Sequence, residues 1–193
     1  DANNPMKIIL YYKNLSQFIF LDNTLSRQGE PVALEGLGLE QATLVCSSIN
    51  NGLWVYDQRN FRLVRLDRNL KTITETGSII QQTGGELQPD FLLERNNWVY
   101  LNDTARGILV FDIFGTYSKT IPLKNLRSFQ VFEDVLFFER DKRFFNFSMK
   151  TLEEKEIILP ENKFKQVMTD GGKFFMLVEN EMRVYFENNL PEK

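Results

Sequence analysis

The feature that most constrains this chain is a phrase it repeats. "FLDNTL" at residues 20–25 returns as "RLDRNL" at 65–70 and "VFDIFG" at 110–115, and in degenerate form as "NFSMKT" and "YFENNL". The aligned turn positions, Asp22, Asp67, Asp112, Ser148 and Glu187, lie 45, 45, 36 and 39 residues apart. A second landmark keeps step with the first: dense apolar-aromatic runs begin at Ile8, Trp54, Trp98, Leu136 and Phe174, each 12 to 14 residues ahead of its turn. A period of this length marks a repeat architecture, in which each unit buries its face on a neighbour.

Within a unit the pattern reads strand, tight polar turn, strand, as in "LWVYDQRNFRLVRLD", "WVYLNDTARGILVFD" and "LFFERDKRFFNFS". β-Branched and aromatic residues flank Asn, Asp or charged turn residues, which is how a β-hairpin is written. The first strand of each hairpin is uniformly apolar, as befits a strand covered on both sides, whereas the second alternates in places. Another short run precedes each hairpin, such as "TLVCSSINN" or "DFLLERNN", and a weaker polar one follows, such as "KTITETGSI" or "TYSKTIPL". Each unit therefore predicts four strands, the last a polar edge. The repeated Asp is expected to fix the third-to-fourth-strand turn by accepting a hydrogen bond from backbone two residues on. Neither "DNTLS" nor "DRNLK" supplies the alternating oxygens and central glycine of a calcium loop.

Composition narrows the function classes. With 193 residues the chain predicts a single domain, 1–193, and its 17 Phe with 42% apolar content exclude a disordered one. A net charge of −3 provides no basic face for nucleic acid. The longest apolar runs, "IILYY" and "FFMLV", are far shorter than a membrane-spanning helix, so the expected chain is not membrane-spanning. Histidine is absent, which removes the commonest general base and metal ligand. The lone Cys46 sits in an apolar run and reads as a buried inert thiol, so no metal and no cofactor is expected.

Candidate binding residues fall on the second-to-third-strand turns: Asp57 and Arg59, Asp103 and Arg106, Arg140 and Asp141. Lys13, Asn14, Glu179 and Glu181 complete this mixed-charge set, which suits a peptide or a glycan. Asp57, Asp103 and Asp141 also supply the one enzymatic alternative, a carbohydrate-active hydrolase or lyase, which needs two carboxyls roughly 5 to 10 Å apart with one pKa raised. Trp54 and Trp98, each following an Asn-rich turn, are read as equivalent positions packed between units. The long connections "ALEGLGLEQAT" and "IIQQTGGELQPD", the second carrying Gly84 and Gly85, are further specificity candidates.

On these repeats the chain resembles β-propellers, whose blades are four-stranded sheets. It lacks the "WD" dipeptide of WD40 blades, and its double glycines do not recur in every unit as in kelch. "NPMKIILYY" through "FLDNTL" is similar to a stretch of uncharacterised secreted six-bladed propellers of Gram-negative bacteria. The expected fold is all-β, a β-propeller with about five visible four-stranded blades. The first blade lacks its inner strand before Pro5, which implies a piece of a six-bladed ring truncated at the N-terminus. The resemblance implies no catalytic residue. It implies a non-catalytic interaction module outside the cytoplasm, periplasmic, secreted or outer-membrane-associated, acting as an accessory scaffold in an envelope assembly with a protein partner. Ligand identity, oligomeric state and a lipid anchor ahead of Asp1 stay open.

Overall fold

The computed structural model describes residues 6–187 and is all-β apart from short helical turns. Among the described residues eighteen strands form five successive antiparallel sheets, the blades of a β-propeller. The first contains β1 (Ile8–Tyr12), β2 (Gln17–Leu21) and β3 (Arg27–Ala33). The second contains β4 (Ala42–Ser48), β5 (Gly52–Asp57), β6 (Arg62–Leu66) and β7 (Thr72–Glu75). The third contains β8 (Pro89–Arg95), β9 (Trp98–Asp103), β10 (Gly107–Asp112) and β11 (Tyr117–Ile121). The fourth contains β12 (Phe129–Phe132), β13 (Val135–Arg140), β14 (Arg143–Ser148) and β15 (Glu154–Ile157). The fifth contains β16 (Gln166–Asp170), β17 (Lys173–Val178) and β18 (Glu181–Phe186). The chain divides into two compact units, residues 1–124 with the first three sheets and 125–193 with the last two.

Three sheets thus have the expected four strands, and among the described residues the first and fifth have three. By register the first sheet begins at the second strand of the pattern, and the fifth ends at the third. The inner strand ahead of Pro5 and the "NNL" of the last phrase lie outside the described residues.

The repeated acid does what its position predicts. Asp22 Oδ1 accepts from the backbone N–H of Thr24 and Ser26, Asp67 Oδ1 from Asn69 and Lys71, and Asp112 Oδ1 from Phe114 and Thr116, all at 2.8–2.9 Å. Each turn also closes through two backbone bonds, such as Asp67 N–H to Lys71 O and Leu70 N–H to Asp67 O. The residue three after the acid is left-handed: Leu25, Leu70 and Gly115 have φ of 62°, 64° and 84°. Only Gly115 takes that conformation without a steric penalty. At Ser148 the turn is one residue longer. Its Oγ accepts from Thr151 N–H, and the left-handed residue becomes Leu152.

Two apolar clusters stabilise the first unit. Between the first two sheets Ile9, Phe18, Leu34, Val55 and Leu66 are buried together. Between the second and third lie Trp54, Tyr56, Leu63, Leu92, Leu101 and Phe111, joined by Ile79 from α1 (Ile79–Thr83), a helical turn within the connection "IIQQTGGELQPD". β5 is buried along its whole length, as its uniform apolarity predicts. In the second unit Phe144, Leu159, Val167, Phe174 and Met176 are buried together, with the Phe144 and Phe174 rings edge to face at 6.0 Å.

One expectation is corrected. Trp54 pairs with Arg65, but Trp98 pairs with Asp112, two residues off in register, and the residue matching Trp54 in the third sheet is Tyr100, opposite Val110. Trp54 is fully buried, whereas Trp98 opens β9 and is 39% exposed. Alignment on the preceding asparagines misled because the first-to-second-strand turns differ: a short 3-10 turn intervenes before Gly52, and a two-residue turn before Trp98.

Candidate functional site

In an antiparallel four-stranded blade the second-to-third-strand turns sit at one end, and the first-to-second and third-to-fourth turns share the other. The proposed binding residues occupy the former. Asp57 is buried and accepts from Asn60 N–H, Asn60 Nδ2 (2.8 Å) and Arg62 Nε (3.1 Å). Asp103, also buried, accepts from the backbone N–H groups of Gln88, Ala105 and Arg106 at 2.9–3.0 Å. Asp57 is therefore occupied within its own hairpin, and Asp103 within its own hairpin and in holding Gln88 ahead of β8. Arg59 forms an exposed ion pair with Glu40. Arg106 donates from Nη1 to Thr83 O at 3.0 Å. In the second unit Arg140 pairs with Glu154 and lies over the Phe138 and Phe145 rings, 5.4 and 5.0 Å from their centroids, while Asp141 is an exposed left-handed turn residue with φ 52°. The six residues are thus divided between the units, four in the first and two in the second.

The opposite end of the first unit carries a cleft of about 340 Å³ that the sequence reading did not anticipate. Ile9 and Phe20 form its apolar wall, the Ile49–Asn51 turn and Asn96 its polar rim, and Lys7 and Arg95 its cationic groups. At its base is Glu94, only 6% exposed. Its Oε2 accepts from Ser48 Oγ (2.5 Å) and Trp54 Nε1 (2.6 Å), and its Oε1 from Ile49 N–H (3.0 Å). Arg65, itself buried, donates from Nε to Ser48 Oγ at 2.9 Å and from Nη1 to Ile113 O at 3.3 Å. One carboxylate on β8 thereby ties the third sheet to the second, and the Arg65 guanidinium extends the tie. Above it the Lys7 ammonium lies 3.9 Å from the Phe20 ring centroid and within 3.4 Å of Asn51 O, and burial lowers its pKa.

Large apolar side chains stand exposed on the turns at this same end. Trp98 and Ile49 lie beside the cleft turns, and Leu25 and Phe114 top the third-to-fourth-strand turns of the first and third sheets, with Phe114 71% exposed. Solvent-facing turns ordinarily carry Asn, Gly or charged residues, and these four share the cleft end of the unit. A signal for Glu94 existed in "FLLERNN": period-two alternation places it on the face of buried Leu92, where a lone acid must find partners.

Chemically, the arrangement does not prepare an acid–base pair. Cys46 lies among the same buried residues, and burial pushes its thiol well above the ordinary range, so it is no nucleophile. Asp90 is raised by burial, yet its neighbour Asp103 is locked by three backbone donors. In the second unit a groove of about 270 Å³ holds Glu156 and Glu161. Glu161 accepts from Tyr185 Oη (2.8 Å) and Arg183 Nη1 (2.5 Å), which hold its carboxyl below the usual range, the wrong direction for a general acid. Among the described residues no cluster of acid, cysteine or histidine side chains could hold a metal ion.

No protein-family model matches the sequence, and no curated protein matches it. Solved structures do match. A streptogramin B lyase aligns over 99% of this chain and 67% of its own, with TM-score 0.60 and 14% identity. PorZ, a bacterial surface component of the type-IX secretion system of Porphyromonas gingivalis, aligns over 98% of this chain and 26% of its own, with TM-score 0.63 and 13% identity. The BT4673 extracellular domain of B. thetaiotaomicron aligns over 99% and 27%, with TM-score 0.62 and 12% identity. At such identity these likenesses establish the propeller fold alone. The chain spans about a quarter of the length of the latter two.

Proposed function

We propose that the chain is a non-catalytic β-propeller interaction module that docks a protein partner at the cleft end of its first unit, as an accessory scaffold in a bacterial envelope assembly. The observation that carries this reading is the exposed Ile49, Trp98, Phe114 and Leu25 on turns at the end that also holds the cleft, whose acid is already bound by four groups of the chain counting Arg65 through Ser48. Aromatic anchors beside a polar cleft are what a protein-binding surface presents. The propeller of a type-IX secretion surface component supports an envelope setting, and so does the extracellular domain from B. thetaiotaomicron.

The competing reading is an enzyme, and lyases stand among the similar structures. One is described as a catalytically inactive histidine-to-alanine variant of virginiamycin B lyase, whereas these 193 residues contain no histidine. Lyase chemistry resting on that residue type is therefore not supported here. The test is a comparison of the wild-type protein with a Trp98→Ala/Phe114→Ala variant as baits for envelope extracts. A partner retained by the wild type and lost by the folded variant is expected. Equal retention by both, or glycan turnover with no partner, overturns the proposal.

A further inference from the structure

At the opposite end of the same unit a second cavity, of about 410 Å³, lies between α1 and the outer strands of the third sheet. Gln82 and Thr83 line it from the helix side, Ala105 and Arg106 from the β9–β10 turn, Leu109 from β10, Tyr117 and Thr120 from β11, and Lys124 beyond. These eight residues include two cations and no acid. Among the described residues neither Arg106 nor Lys124 makes an ion pair, so no carboxylate of the chain neutralises this wall. A guanidinium and an ammonium lining one cavity without an acid can receive an anion.

The seat of the arginine is built rather than incidental. Its Nη1 is held by Thr83 O at 3.0 Å, and Gly85, with φ +149°, passes so close that a Cβ there would overlap Nη2. The connection "IIQQTGGELQPD" thus passes beside the guanidinium at Gly85, whose φ of +149° favours glycine. The remaining wall is hydroxyl and amide: Tyr117 Oη shares a 2.8 Å hydrogen bond with Thr120 Oγ1, and Gln82 stands exposed opposite. Leu109 and the half-buried Tyr117 ring provide the apolar floor.

We infer that this cavity binds an acidic saccharide, a uronate residue whose carboxylate meets Arg106 and Lys124 and whose hydroxyls meet Thr120, Tyr117 and Gln82. The volume lies in the roughly 300–1,000 Å³ range of small-molecule sites and far exceeds what a lone inorganic oxyanion fills. Polar groups of both hydrogen-bonding senses beside apolar Leu109 suit a polyhydroxylated ring better than an aliphatic acid. The site is independent of the protein-docking end, so either assignment can fail without the other.

The experiment is calorimetric titration of the whole chain with a digalacturonate, with the neutral disaccharide of the same linkage, with sodium sulfate and with a Glu-containing tripeptide. Millimolar or tighter binding of the digalacturonate is expected, at least tenfold weaker binding of the other three, and weakening with added salt. Arg106→Gln and Lys124→Gln are each expected to reduce affinity about tenfold, the scale of one charge-assisted hydrogen bond. No binding, equal binding of the neutral sugar, equal binding of sulfate or the tripeptide, or unchanged affinity in a folded Arg106→Gln variant overturns the assignment.

Discussion

Two buried carboxylates of the first unit, Asp57 and Glu94, are satisfied in opposite ways. Asp57 takes its donors from residues three and five positions away, inside its own hairpin. Glu94 takes its donors from 40, 45 and 46 positions away, in the neighbouring sheet. One acid shapes a turn; the other joins two blades. The difference teaches that burial of a charge says little by itself, and that the sequence distance to its partners decides whether it reports local structure or assembly.

The sharpest way to break this contrast is Glu94→Leu. It leaves Trp54 Nε1, Ser48 Oγ and Ile49 N–H without their acceptor in a buried place and removes the group that Arg65 approaches through Ser48. Losing one partner of such a buried network costs about 3–5 kcal/mol. Urea unfolding of the whole chain measures it, and Glu94→Gln, which keeps the shape and one acceptor, should fall between the two. Asp57→Ala is the matched perturbation at the other end. Its donors lie at a hairpin tip and can turn to water, so the expected loss is smaller, about 1.5–3 kcal/mol. Equal losses for Glu94→Leu and Asp57→Ala would show that the distinction between local and inter-sheet acids has no energetic content.

The same distinction explains what was legible in the sequence. Asp22, Asp67 and Asp112 announce themselves because the turn chemistry needs only residues within four positions, and a period of such turns gives the blades. The hairpins around Asp57 and Asp103 were legible for the same reason, although their carboxylates turned out to be occupied by their own turns. The cleft was not legible, because Lys7, Asn51 and Glu94 meet only after two sheet-to-sheet connections have been folded. Arg106 was visible as a turn cation, but its meeting with Lys124 at one cavity depends on the path of α1, which no periodicity announces. Trp98 was misplaced because local resemblance of the preceding asparagines outweighed a two-residue difference in register that only strand pairing reveals.

The smallest expected effect concerns the exposed turn acids. Backbone donation from Lys71 and then Asn69 holds the Asp67 carboxyl below the usual range, and the side-chain hydroxyl of Thr24 and the backbone of Ser26 do the same for Asp22. A carboxyl whose folded pKa is depressed contributes stability that is fully present above its unfolded value and is lost as pH falls through the folded one. The stability of the wild type should therefore decline through the acid range more steeply than that of an Asp67→Asn variant, and the two curves should converge at the acid end. Carboxyl carbon shifts followed by NMR give the direct check, with midpoints for Asp22 and Asp67 below that of a free aspartate. A midpoint at or above the free value would mean that the turn bonds do not discriminate the charged acid from the neutral one, and the repeated phrase would then be held by backbone geometry, in which the left-handed Leu25, Leu70 and Gly115 are the constant element.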